Sequence, residues 1–509
     1  MKVGKANTAS VMGYRTIPVQ VEADLLPGSM YMQIVGLGDS AVKESRERIR
    51  SAIVNSGFIY PIKQIVVNLA PNEIPKEGGL IELAVAASIL SASGQIDPSC
   101  LTGKMLLGGL SLDGTLQSSS GIMAAAILAH KLSQIRAVAA PESSLDEIKL
   151  IPNLIVYPLN QLSDLRLLEK NLILPVKEGR FNPKKNVYSI DLSQIKGQQK
   201  AKSGVCFSIM GKHHSLIMGA PGTGKTMIAR ASEGLLPDLS LDEALEVTKI
   251  YSVSGLSKGG LIESRPFRSP HHTTSDIALV GGGSHPMPGE ISLAHRGVLF
   301  LDELLEFHSA SLQALREPLE EKKITVSRAK GAFTFPADFI FIGAANPCRC
   351  GYVFSIKKKC GCRLHQVRQL YRKIIGPFLD RISLEIESIE ETENLFAINK
   401  NDKNTEWHRN KIIEGRNRMF FRNQNKYNSE LSTEQVFSYV NRLFQWEKIL
   451  KHYAESLELS HRGLIHSLRL ALTIQDFYEK DRLNKDILDE AFSYRVFGKL
   501  RNLAEEMIA

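Results

Sequence analysis

The apolar positions of this chain fall into short runs, and the runs alternate in kind. His214-Ser-Leu-Ile-Met218 predicts a buried strand and Thr226–Ala231 the first turns of a helix. Gly297-Val-Leu-Phe-Leu301 and Asp338–Asn346 predict two more buried strands. Between them, Ile324-Thr-Val-Ser-Arg328 and Ala332-Phe-Thr-Phe335 alternate around a basic, glycine-containing turn and predict a β-hairpin. Further upstream, Ile34–Gly38 and Gln64–Leu69 predict strands, and Ile81–Ser91 predicts a helix of small residues. Asp39 and Ser40 could cap a helix running to Ile53, and Met105–Leu112 followed by Asp113-Gly114 predicts a hairpin. The polar segment 169–190, with Pro175 and Pro183, predicts a linker, and from 391 the pattern turns helical and polar. The expected organisation is an α/β chain. It has an N-terminal α+β domain over 1–168, a parallel-sheet core over 191–390 and a helical lid over 391–509.

Bulk properties constrain the setting. A chain of 509 residues exceeds one hydrophobic core. Apolar residues make up 43%, which is ordinary for a folded protein, and the net charge of +9 permits a nucleic-acid partner without demanding one. No apolar run follows the lysines of Met1–Asn7, and none reaches the roughly 18 residues of a membrane span. Six cysteines in a chain of this length do not resemble a secreted disulfide scaffold. The expected setting is reducing and cytoplasmic, with no membrane partner.

The most specific chemical signal is Gly219-Ala220-Pro221-Gly222-Thr223-Gly224-Lys225-Thr226, a phosphate-binding loop between a strand and a helix. Its glycines let successive amide groups face a polyphosphate at a helix N-terminus. Lys225 would reach the terminal phosphates of ATP, and Thr226 would offer its hydroxyl to Mg²⁺. The second signal is the acidic end of 297–303. Asp302 would hold Mg²⁺ and Glu303 would orient the attacking water. Asn346, at the end of the next strand, stands before Pro347 and could also be a turn former. The segment 252–296 is long, rich in Gly, Pro, His and Arg, and reads as an insertion. Its Arg265, Arg268, His271 and His272 could face a substrate or a subunit interface. Cys348, Cys350, Cys360 and Cys362 flank a basic loop, Lys357-Lys-Lys359, and could close a tetrahedral Zn²⁺ site. Free thiols and a redox role are the alternatives.

The segments GLGDSAVKES (36–45), VNLAPNEIPKEGG (67–79) and LGGLSLDGTLQ (107–117) resemble the Lon-type proteolytic domain found in YifB/ComM proteins, the magnesium-chelatase-like AAA+ ATPases. The resemblance places the Lon nucleophile on Leu80 and its lysine near Met123, neither able to act as nucleophile or base, so it implies the fold without the peptidase. It also implies a base-contacting role for Ile195, a sensor role for Asn346, an arginine finger at Arg381 of Gly376-Pro-Phe-Leu-Asp-Arg381, and a second sensor at Arg462, with Arg469 as the alternative. The hairpin at 324–335 corresponds to one that lines the pore of a ring, with Arg328 and Lys330 as phosphate contacts. The bland reading of that tip is a solvated turn. The function implied is a hexameric, ATP-driven DNA motor acting on single-stranded or branched DNA in recombination and natural transformation. A protein-remodelling ATPase and a magnesium-chelatase motor are the alternatives. The chelatase motor is expected to lack both the N-terminal domain and the four-cysteine loop.

Overall fold

The computed structural model describes residues 3–12, 14–36, 40–71, 79–257, 260–283, 287–328, 331–353, 358–372, 378–389 and 403–496. Asp39, Pro75–Gly78, Lys330, Lys357, Gly376 and Pro377 lie outside those residues.

Nine strands precede the linker: β1 (Gly4–Met12), β2 (Arg15–Leu26), β3 (Tyr31–Val35), β4 (Gln64–Ala70), β5 (Lys104–Leu106), β6 (Gly109–Leu110), β7 (Leu116–Gln117), β8 (Ala137–Pro141) and β9 (Ile155–Leu159). Seven of them form one sheet in the order β3-β4-β2-β1-β5-β8-β9, and β6 and β7 form the expected hairpin. The antiparallel pair β1–β2, from Gly4↔Ala23 to Met12↔Arg15, is the longest ladder among the described residues. Inward residues of β2 alternate (Ile17, Val19, Val21, Ala23, Leu25), which sets the register against the helix Glu82–Ala92. Leu80 and Met123 are 2% and 0% exposed and belong to one apolar cluster with Met105 and Leu107. The two positions aligned with a peptidase dyad are therefore core residues.

The second sheet contains β10 (Ser215–Gly219), β11 (Phe267–Arg268), β14 (Val298–Leu301), β17 (Ile340–Ala345) and β18 (Leu384–Ser388), in the order β11-β14-β17-β10-β18. Every ladder in it is parallel. The three central strands β14, β17 and β10 are nearly continuous apolar runs, as expected of a parallel sheet covered on both faces, whereas β18 alternates apolar residues with Glu385 and Glu387. The small pair β12 (Gly281–Gly282) and β13 (Met287–Pro288) and the hairpin β15 (Lys323–Arg328) with β16 (Gly331–Pro336) stand apart from it. In the hairpin Ile324, Val326, Phe333 and Phe335 are buried while Thr325, Ser327, Ala332 and Thr334 face outward.

The segment 252–296 is not simply an insertion, because it contains β11, a strand of the main sheet. Two residues are too few to show a period. The expected linker runs without helix or strand from Lys170 to Ile190, yet it is tied to both neighbours. The amide of Gly179 donates to Lys149 O at 2.8 Å, and that of Lys184 to Glu263 O at 3.0 Å.

Helices Thr405–Asn423, Thr433–Val440, Trp446–Ser456, His461–Phe477 and Lys485–Phe492 form the lid. Its last described residues lock it to the core. Tyr494 Oη donates to Lys200 O at 2.9 Å, and buried Arg495 donates to Ile382 O at 3.0 Å and faces Glu385 at 3.4 Å. Gly204, unexpected inside the helix Gln199–Gly211, is explained here, since a methyl group would press against Ile386 and Tyr494.

Candidate active site

The parallel sheet brings Gly219, Asp302 and Asn346 to one edge, because each follows the C-terminal end of its strand. Met218 pairs with Ala345, and Leu301 pairs with Gly343. β17 thus separates the phosphate-loop strand from the acidic strand and carries Asn346 between them. This is the edge where ligands bind in open α/β sheets.

The loop itself is held by two kinds of constraint. Gly222 and Gly224 have φ of 81° and 86°, with nothing where a Cβ would stand, so the concavity is open to a ligand. Gly219 instead meets the backbone of Ser388, and any side chain would overlap it. Ser388 Oγ also lies 3.1 Å from Thr223 O and 3.1 Å from Gln198 Oε1. Ser388 is thus a support of the loop that nothing in the sequence marks.

Lys225 folds back on the loop, donating to Gly219 O at 2.9 Å and Ala220 O at 2.8 Å. Burial pushes its ammonium below the ordinary lysine range, and Asp302 opposes that shift. Thr226 Oγ1 donates to Asp302 Oδ2 at 2.8 Å, so hydroxyl and carboxylate already converge where a divalent cation would take both. The donor set is all oxygen, which suits Mg²⁺, and the open concavity beside Lys225 suits a triphosphate. Glu303 has φ of 49°, an unusual value for its residue type, and its side chain is 56% exposed. Its carboxylate lies 3.1 Å from His272 Nδ1, and the His272 ring in turn lies 4.1 Å from that of His271. Ile195 is buried in the core behind the loop, at the end of a turn capped by Asp191.

The two arginines expected to face a substrate or a subunit interface pair instead with carboxylates of the same chain. Arg265 is buried, paired with Glu243 at 2.6 Å, and donates to Pro237 O and Arg296 O. Arg268 makes two 2.6 Å bonds to Glu290. Both fold the segment onto the core, and burial of a guanidinium demands such partners. Of the four residues singled out there, only His272 reaches the catalytic edge.

Arg381 and Arg462 lie elsewhere. Both guanidiniums bind the carboxylate of Glu320. They line a cavity of about 370 Å³ with Lys212, His214 and Arg469. Arg381 precedes β18, whose first residue Leu384 pairs with Ser215 at the start of β10. The cavity is therefore at the N-terminal edge of the sheet. The phosphate loop is at the other end of β10, about 13 Å further on at ~3.3 Å per residue. Arg469 donates to Leu431 O and does not touch Glu320 in the described contacts.

The four cysteines converge. Their Sγ atoms all lie within 4.8 Å of one another, with Cys348–Cys350 at 3.4 Å, Cys350–Cys360 at 3.5 Å and Cys348–Cys360 at 3.7 Å. None is in a disulfide. Among the described residues no other group of three or more candidate metal ligands gathers in this way. None of their helices is long and apolar enough to cross a membrane.

Comparisons with known proteins match three segments of the chain. Residues 191–395 match the family described as Magnesium chelatase, subunit ChlI. Residues 21–143 match Subunit ChlI of Mg-chelatase, and residues 402–495 match Magnesium chelatase, subunit ChlI C-terminal. The chain is 37% identical to the Uncharacterized protein YifB of Escherichia coli (strain K12), over 98% of each chain. It is 36% identical to the Competence protein ComM of Haemophilus influenzae, over 96% of each chain. With the Magnesium-chelatase subunit ChlI of Euglena gracilis it shares 27% identity over 30% of this chain and 52% of the other. The full-length likeness to YifB and ComM, with three chelatase-type segments in order, shows that the chain belongs to the YifB/ComM family of magnesium-chelatase-like AAA+ ATPases.

Proposed function

We propose that the protein is an ATP-driven, ring-forming DNA motor that acts in homologous recombination and natural transformation. The observation that carries the ring is the separation of Arg381 from the phosphate loop across the parallel sheet. An arginine about 13 Å or more from its own loop can serve a nucleotide only in a neighbouring copy. Arg462, on the same Glu320 carboxylate, would travel with it.

Within one subunit, Lys225 and the loop amides would hold the phosphates, and Thr226 and Asp302 would hold Mg²⁺, which neutralises charge on the transferred phosphoryl group. Glu303 would orient water, and Asn346 would sense the terminal phosphate from between the two motifs. Ile195 would support the base pocket from within the core. The four cysteines would bind zinc.

DNA as the track is supported by the likeness to a competence protein, by the β15–β16 hairpin and by the exposed Lys358 and Lys359 near the cysteines. A peptidase activity is not part of this reading, because Leu80 and Met123 supply neither nucleophile nor base. The test is ATP hydrolysis with and without a four-way DNA junction, using Glu303→Gln as the blank. Stimulation by the junction that vanishes in the variant supports a DNA motor. Hydrolysis indifferent to every DNA form tested would redirect the reading to a protein substrate.

A further inference from the structure

The four-cysteine loop begins immediately after Asn346-Pro347 and touches the phosphate loop in its first turn. Gly351 is the contact. Its φ is 82°, its amide donates to Cys348 O at 2.9 Å, and a methyl group in place of its hydrogen would overlap the ring of Pro221. Pro221 is part of the phosphate loop, so the turn between the first two cysteines and the next pair is seated directly on it.

The sulfur geometry fits a metal better than it fits thiols or a disulfide. In a tetrahedral tetrathiolate site with Zn–S of about 2.3 Å, the sulfurs stand about 3.8 Å apart. Here the three sulfurs of Cys348, Cys350 and Cys360 stand 3.4, 3.5 and 3.7 Å apart, and all four lie within 4.8 Å of one another. A disulfide would need about 2.05 Å. Two amides point at sulfur as well, Cys350 N to Cys362 Sγ and Cys362 N to Cys360 Sγ, each at 3.4 Å. Amide donors of this kind favour the thiolate that zinc requires. The compact C-x-C spacing is accommodated because Gly351 turns the chain sharply after Cys350.

We propose that Cys348, Cys350, Cys360 and Cys362 bind one zinc ion, and that the resulting knuckle braces the phosphate loop through Gly351 on Pro221, so that metal occupancy sets nucleotide affinity. The brace rests on the nucleotide-site reading above, and the metal site stands without it. One strand end thus serves two tasks, presenting Asn346 to the site and holding the loop that faces it.

The test uses full-length protein without a histidine tag. Elemental analysis should give one zinc per chain, and exchange with Co²⁺ should give the intense visible bands of a tetrahedral thiolate site. Cys360→Ser and Cys362→Ser should each lose the metal. Binding of a fluorescent ATP analogue should weaken about tenfold when zinc is removed by a chelator, and recover when zinc is returned. Gly351→Ala should keep its zinc and show the same weakening, which separates the brace from the metal and from a folding defect. Absence of zinc together with failure of the apoprotein to take up Zn²⁺ or Co²⁺ overturns the metal site. Bound zinc whose removal leaves nucleotide affinity unchanged overturns the brace. A zinc-loaded wild-type protein that binds no nucleotide overturns the phosphate-loop reading and with it the brace, leaving the metal site standing.

Discussion

His272 Nδ1 lies 3.1 Å from Glu303 Oε2, so an imidazole from the segment after β11 holds the carboxylate expected to orient the attacking water. Among the described residues the phosphate-loop partners Lys225, Thr226 and Asp302 are engaged with one another or with the loop, and Glu303 alone is tied to this segment. We predict that this contact restrains hydrolysis before substrate is engaged. His272→Ala should raise the DNA-independent rate severalfold, up to about tenfold (~1.4 kcal/mol of barrier), and shrink the stimulation by DNA. An unchanged basal rate would remove His272 from the control of Glu303.

Binding and chemistry should separate at the catalytic edge. Lys225→Ala should lose nucleotide affinity. Glu303→Gln should keep affinity and lose turnover by about 10²-fold or more, the range for a misplaced general base. Equilibrium binding of a fluorescent nucleotide beside steady-state hydrolysis checks both. Loss of binding in Glu303→Gln would contradict the assignment.

The arginine edge makes a prediction about mixtures. Arg381→Ala should be inactive by about 10³-fold, as should Lys225→Ala. Mixing the two should restore hydrolysis, because some interfaces then pair an intact loop with an intact arginine. Mixtures no more active than their components would place Arg381 outside catalysis.

Acid should loosen the join between core and lid. His213 is buried, lies 2.8 Å from Thr473 Oγ1, and burial pushes its pKa down to about 3. Burial likewise pushes His214 to about 4. Its Nδ1 accepts from the amide of Phe341 at 3.2 Å while its Nε2 faces Leu319 O at 3.3 Å, an arrangement that only the neutral ring satisfies. Below pH of about 6.5 the unfolded chain binds protons that the folded chain refuses, so stability falls as pH drops toward 4. The slope is about 1.4 kcal/mol per pH unit for each histidine, and urea unfolding across that range measures it. His213→Gln should flatten the slope.

Arg495 offers a test of the lid itself. Arg495→Ala would remove the buried guanidinium that faces Glu385, a loss of about 3–5 kcal/mol, and should lower the thermal midpoint. Arg495→Ala with Glu385→Met should recover part of it.

The phosphate loop, the acidic strand and the β15–β16 hairpin were legible because each combines a local pattern with fixed spacing. The β1–β2 ladder was not. Pro18 interrupts an otherwise regular alternation, and a proline argues against a central strand. It is tolerated because β4 pairs only with Gln20–Leu26 among the described residues, so no described strand pairs with Pro18 on that side. The roles of Arg265 and Arg268 were invisible for another reason. Their partners Glu243 and Glu290 lie in separate helices, and sequence spacing does not show which charges meet.

The polarity of the parallel sheet gives each chain two unlike ends, a phosphate cradle at one and a pair of arginines at the other. In an open row of such chains, the cradle at one terminus faces no arginine and the arginines at the other face no cradle. A row of n chains thus completes one site fewer than it has members. Closing the row recovers that site without adding a subunit. Turnover per chain should therefore depend on protein concentration at high dilution and level off once rings are closed. Dissociation alone would then silence the enzyme with every catalytic residue intact.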